Sequence, residues 1–112
     1  MRSLSITHFS IVNSLGAGRA AIVDALREQR SGLTPCDFET VALNTFIGQV
    51  PGLDDSVVRS DLAAYDCRNN RLAQLGLELD GFADAVRALS EKTGAERIGV
   101  FIGTSTSGIL QT

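Results

Sequence analysis

The run Ile98-Gly99-Val100-Phe101-Ile102 sets the tightest limit on the fold. Five apolar or glycine positions in succession read as a short strand covered on both faces. Such a strand needs a layer on each side, so it predicts an α/β arrangement. It breaks into the Gly-hydroxyl-Gly loop Gly103-Thr104-Ser105-Thr106-Ser107-Gly108, with Ile109 following. The upstream residues read as pieces of the two layers, and the strands that flank 98–102 are expected from sequence outside this chain.

Taken in order, Leu4-Ser5-Ile6-Thr7 alternates as the start of a strand that runs to Val12 and turns at Asn13-Ser14-Leu15-Gly16. Residues 17–30 read as a helix with Ala21, Ile22, Ala25 and Leu26 on its apolar stripe. Arg27 and Arg30 sit in its last turn, where cations suit the dipole, and Gly32 is its expected left-handed stop. Residues 45–50 form a second short strand stopped by Pro51, with Gly48 and the proline favouring an edge position. Asp54 is placed to cap a short helix carrying Val57, Val58 and Leu62. The longest predicted helix begins near Asp66 and ends at Gly94. Leu72, Leu75, Leu79, Phe82, Val86 and Leu89 step by three and four along it and so share one face. Gly76 and Gly81 lower its propensity and point to close approach by a neighbouring element.

The bulk properties mainly exclude. A chain of 112 residues is one domain at most. A formal charge of −3 gives no general attraction to nucleic acid or anionic membrane, and the absence of Trp with a single Tyr argues against base-stacking platforms. Cys36 and Cys67 make no C-x-x-C and read as two thiols of a reducing compartment. With one histidine, a zinc site would need an unusual ligand set, and no metal or cofactor is predicted. His8 reads as a structural residue at a strand end, because no Cys, Ser or acid partner lies near it. The N-terminal residues are too polar for a secretory segment and no apolar run reaches membrane length, which predicts a cytoplasmic protein.

Three stretches carry candidate chemistry. Gly16-Ala17-Gly18-Arg19-Ala20-Ala21 matches the dinucleotide pattern G-x-G-x-x-A. That pattern requires a second strand soon after the helix, ending in an acid, and residues 31–39 with their Gly, Pro and polar side chains are not expected to form it. Gly103 to Gly108 has the spacing of a P-loop front half, but Ile109-Leu110 stand where lysine and a hydroxyl are needed. Its hydroxyls either cap a following helix or line a substrate pocket with the backbone N–H groups. Asp66-Cys67-Arg68-Asn69-Asn70-Arg71 is either a solvated first turn or a docking or subunit-interface patch. Arginines in a first turn run against the dipole, which favours a partner that uses them.

In order along the chain, these pieces resemble the β-ketoacyl-acyl carrier protein synthases of the thiolase-like superfamily. Ile6-Thr7 through Ile11-Val12-Asn13-Ser14-Leu15-Gly16 is similar to that family's first strand, I-T-G-x-G-x-V-x-x-L-G. Ala25 to Leu33 is similar to A-L-x-x-G-x-S-G-I, and Ile47-Gly48-Gln49-Val50 to A-G-x-V. Arg71 to Gly76 resembles R-x-x-Q-x-A/G, and Arg97 to Gly108 resembles R-V-G-V-x-I-G-S-G-x-G-G. The departures are Thr7-His8-Phe9-Ser10 in place of T-G-x-G, and hydroxyl residues in place of the glycines of the last loop.

The resemblance implies a partial thiolase-like α/β fold, a mixed sheet between helix layers, with residues 1–112 as the N-terminal part of an incomplete domain. It implies an acyltransferase that joins an acyl thioester to malonyl carrier protein by decarboxylative Claisen condensation, in fatty acid, polyene or polyketide-like biosynthesis. The implied partners are an acyl carrier protein with its phosphopantetheine-linked substrate, and a second subunit in a homodimer or a heterodimer with a related synthase. In the family the nucleophilic cysteine and its histidine partners lie further downstream, and Cys36, Cys67 and His8 match none of them; these residues alone would lack the catalytic groups. Arg68 and Arg71, with Arg59 nearby, fall where members dock the acidic carrier, while Ala63 and Ala64 stand where others have cations. Thr104, Ser105, Thr106, Ser107, Gly108 and Ile109 fall where the family's last loop lies near the acyl pocket. The alternatives are a chain-length-factor-like partner without the nucleophile, and a small nucleotide-binding module using Gly16 and Gly18.

Overall fold

The computed structural model describes residues 3–38 and 42–105. They form a small mixed α/β domain of two separate two-stranded antiparallel sheets and three α-helices. The first hairpin pairs β1 (Val12–Asn13) with β2 (Gly16–Ala17), Val12 opposite Ala17 and Asn13 opposite Gly16. Its tight turn is closed by Asn13, whose Oδ1 accepts the Leu15 N–H at 2.8 Å. The chain passes directly into α1 (Arg19–Arg27).

Helix α1 stops three residues earlier than the sequence suggests, and the left-handed residue is Gln29 (φ 53°) rather than Gly32. The Gln29 N–H bonds to Leu26 O at 3.2 Å and the Arg30 N–H to Ala25 O at 2.9 Å, a Schellman closure on a residue with a side chain. Beyond it, β3 (Leu33–Pro35) pairs antiparallel with β4 (Phe46–Gly48). A strand therefore does form in the segment whose Gly, Pro and polar residues argued against one. It is only three residues long, its proline closes its end, and it joins β4 rather than lying parallel to β1. The two hairpins meet at Ser14. A Cβ placed on Gly32 would lie 2.6 Å from the Ser14 backbone, and one on Gly48 would lie 2.9 Å from Ser14 Oγ.

Asp54 caps no helix. Residues Ser60–Tyr65 form a 3-10 turn that begins after Arg59. The extended stretch before it is pinned to the next helix by Gln74, whose Oε1 accepts the Arg59 N–H at 2.9 Å and whose Nε2 donates to Val57 O at 3.3 Å.

The long helix expected from Asp66 to Gly94 is two helices, α2 (Arg68–Glu78) and α3 (Phe82–Thr93). Asp80 (φ 58°) and Gly81 (φ 71°) are both left-handed and break it. Gly81 thus serves backbone conformation and nothing approaches it, while at Gly76 a Cβ would meet Val12 Cγ1 at 3.5 Å, an ordinary packing contact that does not require glycine. Gly94 (φ 87°) ends α3 as the sequence predicts, its N–H bonded to Ser90 O.

The buried apolar side chains among the described residues are Ile22, Ala25, Leu53 and Val58. The chain exposes 9273 Å², against about 5,900 Å² for a compact monomer of this mass. The helical stripes are accordingly only half covered.

The mixed sheet between helix layers is not formed among the described residues. Its two expected apolar strands find no edge to pair with. Residues 4–7 have no strand partner and expose Leu4 and Ile6. Residues 98–102 likewise join neither hairpin. Ile98 is extended (φ −106°, ψ 121°), and Val100, Phe101 and Ile102 are 78%, 96% and 87% exposed. A strand apolar on both faces holds its place only between two layers, and the described residues supply neither.

Candidate functional site

The three arginines singled out for docking lie around the start of α2, and each faces an aspartate. Cys67 is the cap residue of α2 but offers no side-chain bond to the helix, and the first turn holds no acid of its own. Arg71 holds Asp66 in a bidentate pair, Nε to Oδ1 at 2.6 Å and Nη2 to Oδ2 at 2.7 Å, and its Nη1 reaches Asp54 O at 3.3 Å. Arg68 pairs through Nη1 with Asp54 Oδ1. Arg59 and Asp61 form a second bidentate pair at 3.1 and 2.6 Å.

The hydrogen bond from Arg71 holds the Asp66 carboxyl below the usual carboxylate range, and the one from Arg59 does the same for Asp61; both guanidinium groups are correspondingly raised. The patch is therefore one of internally paired charges. A docking carboxylate would have to replace Asp54, Asp61 or Asp66 as the arginine's partner. Sequence reasoning placed the arginines but missed their aspartates. The signal was present in Asp61 two residues after Arg59 and Asp66 five before Arg71, but that spacing faces neither pair on a regular helix.

Beside this patch lies a groove of about 630 Å³ between the Ser60–Tyr65 turn, α2 and α3. Val58, Leu62, Tyr65, Ala73, Leu77 and Ala83 wall it, and Arg59 also lines it.

Of the last loop, Thr104 and Ser105 are described and exposed, downstream of the 98–102 segment. Thr106, Ser107, Gly108 and Ile109 lie outside the described residues.

The glycines of the dinucleotide pattern sit between a two-residue antiparallel strand and α1, not in a parallel βαβ unit. The first turn of α1, where a pyrophosphate would bind, is taken by the chain's own carboxylate. Both oxygens of Asp80 accept the Arg19 N–H at 3.0 Å, and Arg19 Nε lies 3.5 Å from Oδ1. His8 is exposed in an unpaired stretch, and no disulfide joins Cys36 to Cys67. Among the described residues no cluster of His, Cys, Asp or Glu could hold a metal ion, and no helix is long and apolar enough to cross a membrane.

Compared with protein-family models, curated proteins and solved structures, the chain matches none.

Proposed function

We propose that this chain is the N-terminal portion of a carrier-protein-dependent β-ketoacyl synthase of the thiolase-like superfamily, acting in decarboxylative Claisen condensation. The order of the resembling segments supports the reading. The structural observation that carries it is the segment 98–102, apolar on both faces, extended at Ile98 and in no sheet among the described residues. A strand of that composition is the central element of a larger sheet, and the alternating Leu4 to Thr7 is a second segment expected to join it.

In this reading Arg59, Arg68 and Arg71 dock the acidic carrier protein by exchanging their aspartate partners for the carrier's carboxylates. Thr104 to Ile109 line the acyl pocket, and a second copy or a related synthase subunit completes a dimer. The nucleophilic cysteine, which would take the acyl chain as a thioester, and the residues that assist malonyl decarboxylation come from sequence outside this chain.

The test is made on the protein translated from the complete reading frame. Incubated with acyl and malonyl carrier protein, it releases CO2 and forms a β-ketoacyl thioester. A complete protein that carries the superfamily's downstream segments and releases no CO2 would instead be the non-catalytic partner subunit. A reading frame without those segments removes the synthase reading altogether. The nucleotide-binding alternative is opposed by Asp80, which already occupies the α1 terminus; a thermal shift with NAD or ATP would revive it.

A further inference from the structure

The stripe Leu72, Leu75, Leu79, Phe82, Val86 and Leu89 keeps its three-four spacing straight through the break between α2 and α3. A sequence built only for two independent helices has no need of that phase. In a single helix over 68–93 all six side chains fall on one face. The backbone does not follow this pattern. Leu79 is extended (ψ 158°), and Asp80 and Gly81 turn left-handed, Asp80 at a cost that a residue with a side chain bears only when its surroundings hold it there.

What holds it is visible. The Asp80 side chain is 13% exposed and reaches across the fold to the N-terminus of α1. It binds the Arg19 N–H through both oxygens at 3.0 Å and faces the Arg19 guanidinium at 3.5 Å. Gly18, the residue before that N–H, has no side chain to obstruct it; a Cβ there would meet Asp80 Oδ1 at 3.3 Å.

We propose that the α2–α3 junction is a two-state element. It is broken while Asp80 is latched on α1, and it becomes one continuous helix from 68 to 93 when the latch is released. The two states differ in the surface they present. The broken form offers two half-covered stripes that meet at a corner, and the straight form offers one uninterrupted apolar face. This inference does not rest on the synthase reading.

The experiment is a pulsed electron-spin distance measurement on the full chain. One label is placed on the native Cys67 at the start of α2 and one on Lys92→Cys at the end of α3, with Cys36→Ser to leave no other thiol, and the monomer fraction is measured. In a continuous helix the 25 residue steps from position 67 to position 92 span about 38 Å. The unmodified junction gives a single, shorter distance.

Asp80→Ala removes the latch and shifts most of the population to about 38 Å. Gly81→Ala leaves the carboxylate in place but penalises the left-handed backbone, and it shifts a smaller fraction to the same distance. It thereby keeps the test open if the first variant does not fold. The proposal is overturned if neither variant adds the long distance, or if Asp80→Ala strips protection from the Arg19 amide while the junction stays broken.

Discussion

Asp80 accepts the backbone N–H of Arg19 through both carboxylate oxygens, each at 3.0 Å, from a position sixty-one residues further along the chain. Helix α1 has no side-chain cap of its own, since Gly18 stands at the cap position. A distant acid therefore does the work that a neighbouring Ser, Thr or Asp does in most helices. The variant Asp80→Asn keeps a residue that tolerates the left-handed backbone and one acceptor oxygen, but loses the charge. It is expected to cost about 0.5–1 kcal/mol and to raise the exchange rate of the Arg19 amide, read by hydrogen exchange. An unchanged Arg19 amide would remove Asp80 as the cap.

Gln29 closes α1 in the left-handed region at φ 53°. The closure needs the backbone conformation and not the side chain, so Gln29→Gly is expected to stabilise the fold by about 1 kcal/mol, less the entropy that glycine adds to the unfolded chain. Denaturant unfolding of the variant beside the parent checks it. A loss of stability would mean that the glutamine side chain contributes more than its backbone strain costs.

Gly32 behaves in the opposite way. Its backbone lies against Ser14 at the tip of the first hairpin, with 2.6 Å between the Ser14 backbone and an added Cβ. Gly32→Ala must push the two hairpins apart, at about 1–3 kcal/mol. The melting temperature falls accordingly, while Gly52→Ala, which meets nothing within 4 Å, does not crowd a neighbour and serves as the comparison for its own positive φ of 72°.

How much of this could be read beforehand follows from what decides each element. The helix stripes, the turn at Asn13 to Gly16 and the stop at Gly94 are local, fixed by side-chain period and by residues that favour one conformation. The break at Asp80 was not legible. Its one local mark is the turn dipeptide Asp80-Gly81, outweighed by the unbroken stripe; what fixes it is a carboxylate satisfying an amide from a distant helix. The Gly-rich turn at 16–18 looked like a phosphate cradle for a related reason: its glycines admit Asp80 and the close approach of Ala21 instead. At the candidate docking patch Arg68 and Arg71 were legible as cations against a helix dipole and Arg59 only through the family resemblance, but the aspartates that pair with them come from three different loop and turn positions that only the fold brings together.

The Asp66–Arg71 pair makes α2 sensitive to acid. Hydrogen bonding from Arg71 lowers the Asp66 pKa in the folded state. Its contribution is therefore complete above the ordinary carboxylate range and is lost as pH falls through the lowered folded value. Asp66→Asn should be less stable than the parent at neutral pH, and the gap should close in strong acid. A gap that is independent of pH would show that the pair does not carry it.

The central claim is that 98–102 is a sheet strand whose neighbours the described residues do not provide. Hydrogen exchange of these 112 residues tests it most directly, read at the amides of Gly99 to Gly103. The account predicts exchange close to that of an unstructured chain there, beside protected amides in α1, and protection of Gly99 to Gly103 once the complete protein is used. Slow exchange at Gly99 to Gly103 in the 112-residue chain as a monomer would contradict it, because the strand would then be paired without any further sheet.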